Sequence, residues 1–315
     1  MKNIGNTLPV THSCLSYFQM SLKILFSGYL NYRISKIRHK ALLLLTIAIT
    51  VHQVGYCQDS GISHSDTNFY GRNIKAGNYL NTRGFNMYYE IYGEGQPLLM
   101  IHGNSGSISS FAYQIPYFTK AYKVIIADSR AQGNSADTAD SLSFEMMADD
   151  FSALLDNLHL DSCYVLGWSD GGINGLLLAI RHPEKVKKLA ITGANLWPDS
   201  TAISTDDYKW GISYYDSLGK IAQTPEIINT RKLVKLDSFE PHITREQLQQ
   251  IHCSTLVIGG DHDIILPVHT LFIAQSIPES YLWILPNSSH STLVDHRDLF
   301  NEVVGNFFAN GLKKN

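Results

Sequence analysis

The segment Gly167-Trp168-Ser169-Asp170-Gly171 constrains this chain more than any other stretch. It follows the apolar run Cys163-Tyr164-Val165-Leu166 and opens a helix-like run from Ile173 to Ile180. Two glycines around one serine at a strand-to-helix junction permit a sharp reversal, which forces the central residue into strained dihedrals and exposes its hydroxyl. Ser169 is therefore the candidate nucleophile. Because Gly-x-Ser-x-Gly also occurs in ordinary turns, the rest of the chain has to supply the partners that a serine needs.

A serine hydroxyl attacks poorly at neutral pH unless an imidazole takes its proton, and the imidazole needs a carboxylate to fix its tautomer and stabilise its charge. Thr255 to Gly260 reads as a buried strand running into Asp261-His262-Asp263. Tyr281 to Leu285 reads as another, ending in Pro286-Asn287-Ser288-Ser289-His290. Asp263 and His290 are the candidate acid and base. Asp261 is second to Asp263, since the Gly-x-x-Asp spacing from Gly260 favours the later residue. His296 falls within a helix-like run from Leu293 to Phe307, where a packed or solvent-facing role is favoured.

An acyl-transfer site also needs donors for the developing oxyanion. His102-Gly103-Asn104, just after the apolar strand Pro97 to Ile101, offers the Asn104 backbone N–H; the second N–H is that of Asp170, directly after the nucleophile. His102 reads as structural. Asp128-Ser129-Arg130-Ala131-Gln132-Gly133-Asn134-Ser135 follows the strand Val124 to Ala127, and its Asp128 and Arg130 read as ties that hold a loop beside the site.

The elements around these motifs agree. Ser143 caps a helix whose apolar positions Phe144, Met147, Ala148, Phe151, Leu154, Leu155 and Leu158 share one face. Val186 to Thr192 is a strand. Alternating strands and helices of this length require right-handed crossovers and a mostly parallel, doubly wound α/β sheet, with the site at the strand C-terminal ends.

The order Ser, Asp, His, each just behind a strand, together with the loops at His102 and Asp128, resembles the α/β-hydrolase superfamily over roughly residues 79 to 310. Within it, Val165 to Gly172, Arg181-His182-Pro183 and Gly193-Ala194-Asn195 resemble the valacyclovirase (biphenyl hydrolase-like) group. The resemblance implies a helical lid inserted at about 197–250 and hydrolysis of α-amino acid esters. Asp170 would receive the substrate's ammonium, and Trp168 would line the substrate site beside it. A carboxylate there would pair with a cation at short range. Equally, Asp170 begins a helix, where the dipole favours negative charge whatever the substrate. The lid sequence departs from that group, and Asp206, Asp207 and Asp216 are its candidates for meeting an ammonium. No metal or organic cofactor is required.

Three rival readings share the fold: a carbon–carbon bond hydrolase, a cofactor-free haloperoxidase or perhydrolase, and a non-catalytic ligand receptor. Haloalkane dehalogenases and epoxide hydrolases use a carboxylate nucleophile, and the elbow here carries Ser169.

The N-terminal region has a different character. A basic cluster, Arg33 to Lys40, precedes an 11-residue apolar run, Ala41 to Val51, that ends near Cys57. That is a secretory-signal pattern, since a membrane span needs about 20 apolar residues. The expected division is therefore a leader over 1–57 and a hydrolase domain over 58–315, exported to the periplasm or beyond. Lipidation at Cys57 is disfavoured by the large Tyr56 before it. The 40 residues preceding the run are long for a leader, as an overextended start would make them. Residues 1–57 hold six of the 25 basic residues and no acidic ones, leaving 19 basic against 28 acidic, a formal charge of −9. That balance argues against nucleic-acid binding. With Cys14 and Cys57 in the leader, Cys163 and Cys253 remain; their spacing is neither a disulfide framework nor a metal site, and both read as buried thiols. The expected partner is a small ester, with no stable membrane span after processing; oligomeric state is not legible.

Overall fold

Short apolar runs bounded by turn residues become strands, and runs with helical periodicity become the helices between them. The computed structural model describes residues 70–311; the leader, its basic cluster and apolar run, and Cys14 and Cys57 lie outside the described residues. In chain order come β1 (Gly77–Thr82), β2 (Phe85–Tyr92), β3 (Gln96–Ile101), α1 (Ile115–Phe118), β4 (Tyr122–Ala127), α2 (Phe144–Asn157), β5 (Cys163–Trp168), α3 (Asp170–Arg181) and β6 (Val186–Thr192). Then follow α4 (Thr205–Leu218), α5 (Pro225–Phe239), α6 (Arg245–Leu248), β7 (Ser254–Gly260), α7 (Pro267–Ser276), β8 (Ser280–Leu285), α8 (Thr292–Asp295) and α9 (Arg297–Asn310).

The strands form one sheet in the order β1-β2-β4-β3-β5-β6-β7-β8. β1 and β2 pair antiparallel, as do β2 and β4, and every later pair is parallel. The chain therefore winds from β3 out to β4 and then returns to place β5 on the other side of β3. At such a switch point the loops behind the two adjacent strands separate and leave a crevice. Here those loops begin at His102 and Ser169.

Alternation along the strands divides the core in two. Leu99 and Ile101 of β3 pack with Phe144, Phe151 and Leu155 of α2, while Leu98 and Met100 pack with Phe300, Val304 and Phe308 of α9. Each fully buried side chain of this size stabilises the fold by roughly 1.5–3 kcal/mol. Ser143 caps α2 as expected, accepting from the Met146 N–H at 3.2 Å. The helix expected to run through His296 is interrupted there: φ of −127° takes that residue out of helical geometry, ending α8 and starting α9. Cys163 is a buried free thiol, and Cys253 is also free but half-buried rather than fully enclosed.

Between the paired strands β6 and β7 the chain leaves the sheet to form the insertion carrying α4, α5 and α6. Among the described residues no helix is long and apolar enough to cross a membrane.

Candidate active site

The turn at Ser169 is held in an unfavourable backbone conformation by its surroundings. Its φ of 56° and ψ of −121° are strained for a residue with a side chain, at roughly 1–3 kcal/mol. Its N–H donates to the Thr192 carbonyl at 2.9 Å, and its own carbonyl starts α3 by accepting from Gly172 and Ile173. Both flanking glycines are needed for space. A Cβ on Gly171 would lie 1.9 Å from the Ile101 carbonyl oxygen, and one on Gly167 would lie 2.2 Å from the carbonyl oxygen of Gly171.

Pairing of β7 with β8 ends at Gly260 opposite Leu285, so the two following loops leave the sheet side by side. They bring Asp263 and His290 together. His290 Nδ1 is 2.6 Å from Asp263 Oδ1, and His290 Nε2 is 2.9 Å from Ser169 Oγ. Asp263 is itself oriented by the Ile265 N–H at 2.9 Å. Asp261 turns elsewhere: it accepts from the Ser288 N–H and contacts its neighbour His262, and these bonds hold its carboxyl far below the usual range. Burial by itself would lower the His290 pKa. The Asp263 carboxylate outweighs that effect, with smaller help from Asp237 and Asp170, and the net direction is upward.

Space for this imidazole comes from Gly193, at the end of β6. With φ of +65°, and with its missing Cβ only 2.7 Å from His290 Cε1, a side chain there would displace the ring. Trp168 is half-buried and donates its indole N–H to the His290 carbonyl at 3.0 Å, so it anchors the histidine loop.

The loop after β3 meets the elbow closely, since a Cβ on Gly103 would stand 3.0 Å from that of Ser169. Asp170 is the first residue of α3, where a backbone N–H has no partner within the helix, and no turn or loop backbone bond takes the N–H of Asn104. His102 is buried; it accepts from the Ser129 N–H at Nε2 and therefore carries its proton on Nδ1, toward the Gly103 carbonyl. Burial lowers its pKa. Asp128 binds the N–H groups of Ile108 and Asn134, and Arg130 grips Asp150 through two nitrogens. Both stabilise loops beside the cleft.

Asp170 is 1% exposed, with Oδ2 accepting from the Asn104 side-chain amide at 2.8 Å. The same amide donates to the Leu233 carbonyl of α5 at 3.2 Å. Burial first, and then repulsion from Asp237, raise the Asp170 pKa well above the carboxylate range, against the Asn104 hydrogen bond and His290. Asp237, on the turn of α5 after Leu233, is a group that sequence reasoning missed. Water reaches it, yet the protein crowding its carboxyl raises its pKa as well. The insertion carboxylates picked from sequence do other things: Asp207 caps α4 with Ser204, and Asp206 and Asp216 are exposed. The only sequence signal for Asp237 is its spacing of four from Leu233 on one helical face.

A cleft of about 960 Å³ lies between α5 and residues 137–146, lined by neither Ser169, Asp263 nor His290. Among the described residues, no group of three His, Cys, Asp or Glu side chains could hold a metal ion.

The family described as alpha/beta hydrolase fold matches residues 96–238. Serine hydrolase BPHL of Mus musculus is 30% identical over 247 residues, covering 71% of this chain and 83% of that protein. The 2-hydroxymuconate semialdehyde hydrolase of Pseudomonas sp. (strain CF600) is 26% identical over 263 residues, covering 69% and 88%. Among solved structures, the enol-lactonase from Burkholderia xenovorans LB400 aligns with a TM-score of 0.62 at 20% identity, over 74% of this chain and 100% of that one. The chain belongs to the α/β-hydrolase fold family and is a hydrolase. Within that family it is similar to serine hydrolase BPHL.

Proposed function

We propose that this hydrolase cleaves carboxylic esters through an acyl-enzyme on Ser169, with a preference for acyl groups that carry an α-ammonium. The observation that carries the reading is the position of His290, 2.9 Å from the Ser169 hydroxyl on one side and 2.6 Å from Asp263 on the other. His290 accepts the Ser169 proton as the oxygen attacks the ester carbonyl, and Asp263 stabilises the imidazolium that forms. The N–H groups of Asn104 and Asp170 hold the oxyanion. His290 then protonates the departing alkoxide, and water repeats the sequence to release the acid.

The preference for a charged acyl group follows from Asp170, a buried carboxylate beside the nucleophile with no salt bridge to a described Lys or Arg. An arriving ammonium would supply the missing charge at a distance where such a pair is strong. The similarity to serine hydrolase BPHL supports a serine nucleophile. A carbon–carbon bond hydrolase is the second reading, supported by likeness to the semialdehyde hydrolase. A muconate-type substrate is an anion, however, and would meet Asp170 and Asp237. The leader supports a separate proposal of export, tested by fractionation and by sequencing the mature N-terminus near residue 58.

The test is kcat/KM on a valine aryl ester and its N-acetylated counterpart. A tenfold preference for the free amine, lost in Asp170→Ala, is expected. Equal rates would leave a general carboxylesterase, and turnover of vinylogous diketones without ester cleavage would favour the second reading.

A further inference from the structure

An α-ammonium offers three N–H donors, and a cleft that strips it of water must supply acceptors for them. The elbow provides only part of that set. Asp170 gives Oδ2 to the Asn104 amide, and its other oxygen receives no hydrogen bond from any described residue. The contact from Asn104 to the Leu233 carbonyl fixes which face of α5 looks onto the elbow. Residues four apart on a helix share a face, so Asp237 approaches from the same side, one turn further along. Its charge raises the pKa of both Asp170 and His290, and among the described residues His290 is the positive group that lowers the pKa of the two carboxyls. Two acids, one from the elbow and one from the insertion, thus lie on either side of the Asn104 amide that joins elbow to insertion, and among the described residues neither forms a salt bridge with a Lys or Arg.

We propose that Asp237 is a specificity-determining residue, receiving the substrate's α-ammonium from the insertion side while Asp170 receives it from the elbow, so that esters with a cationic acyl group are selected. The inference rests on the amino-ester reading above. Asp237 and Asp170 repel each other, and a bound cation relieves the repulsion that a proton would otherwise have to relieve. An uncharged acyl group leaves the buried Asp170 carboxyl without an opposite charge. Selectivity therefore resides partly in α5, whereas the reacting groups all come from strand-end loops.

The test compares the wild-type protein with Asp237→Asn, Asp237→Ser and Asp237→Glu on the valine aryl ester and its N-acetylated counterpart. In the Asn and Ser variants the amine-over-acetyl preference is expected to fall at least tenfold, about 1.4 kcal/mol. The fall should come mainly through a higher KM for the free amine, with part of the preference recovered in the Glu variant. Two neutral replacements guard against one that does not fold. A preference equal to wild type in either folded neutral variant, alongside its loss in Asp170→Asn, would overturn the role of Asp237 and leave the amino-ester reading standing. Equal wild-type rates on both esters would overturn both.

Discussion

The strand-end loops and the helical insertion meet where the Asn104 amide binds the Leu233 carbonyl, but they are buried to very different extents. Ser169 and Asp263 follow the largely buried parallel strands β5 and β7, His290 follows the half-buried edge strand β8, and α2 and α3 bury eight and ten residues. In the insertion, α4 buries only Leu218, and α5 buries Leu233, Leu236 and Ser238. Trp210, Ile221, Ile228 and Phe239 remain exposed there, between 40% and 50%. Reacting groups need fixed geometry, because a displacement of an ångström can cost on the order of a hundredfold in rate. Elements that admit substrate are drawn from the less stable end of the structure. On the proposed function, chemistry and selectivity are carried by parts of the chain under different physical demands.

Replacing Ser169 by Ala should produce the largest effect, a fall in kcat of roughly 10⁴-fold or more on every ester tested, since residual catalysis would come from oxyanion donors and binding alone. A loss that depended on the substrate would break the division between chemistry and selectivity. Asp263→Asn should cost about 10³–10⁴-fold by the same logic, because the amide cannot hold His290 in the required tautomer. Asp261→Asn, which removes a carboxyl bonded to the Ser288 N–H, should cost less than about tenfold. Steady-state rates of the pair distinguish the two acids.

Stability sharpens the same contrast. Phe151→Ala, in the core under the sheet, should destabilise by about 3–5 kcal/mol in denaturant titration. Trp210→Ala, on the insertion, should stay within about 0.5 kcal/mol.

The smallest effect concerns pH. His290 must be neutral to accept the proton, and Asp263, then Asp237 and Asp170, raise its pKa against burial. The acid limb of kcat/KM should therefore lie above the ordinary histidine value of about 6.5. Removing the negative charge of Asp237 lowers the His290 pKa, so the limb should move to lower pH in Asp237→Asn. An unmoved or upward-shifted limb would deny Asp237 its electrostatic reach to the cleft.

Legibility in the sequence follows the same boundary. Ser169, Asp263 and His290 could be read because each follows a strand marked by its apolar run, and parallel strands deliver their following loops to one end of the sheet. The choice of Asp263 over Asp261 rested on spacing from Gly260, and the structure turns the two carboxyls in different directions. Asn104 and Gly193 fall at strand ends for the same reason. Asp237 was illegible: α5 carries only a short buried stripe, and which of its faces meets the elbow depends on the Asn104 contact with Leu233, a tertiary pairing without a local signature. The break at His296 was also hidden, because apolar spacing continues through it while the backbone does not.

An acyl-enzyme on Ser169 is tested by an acid-quenched burst of an aryl ester with mass mapping of the trapped protein. It predicts a burst stoichiometric with enzyme and an acyl adduct on the peptide containing Ser169, absent from Ser169→Ala. Hydrolysis that persists in that variant, or an adduct on any other residue, would contradict it.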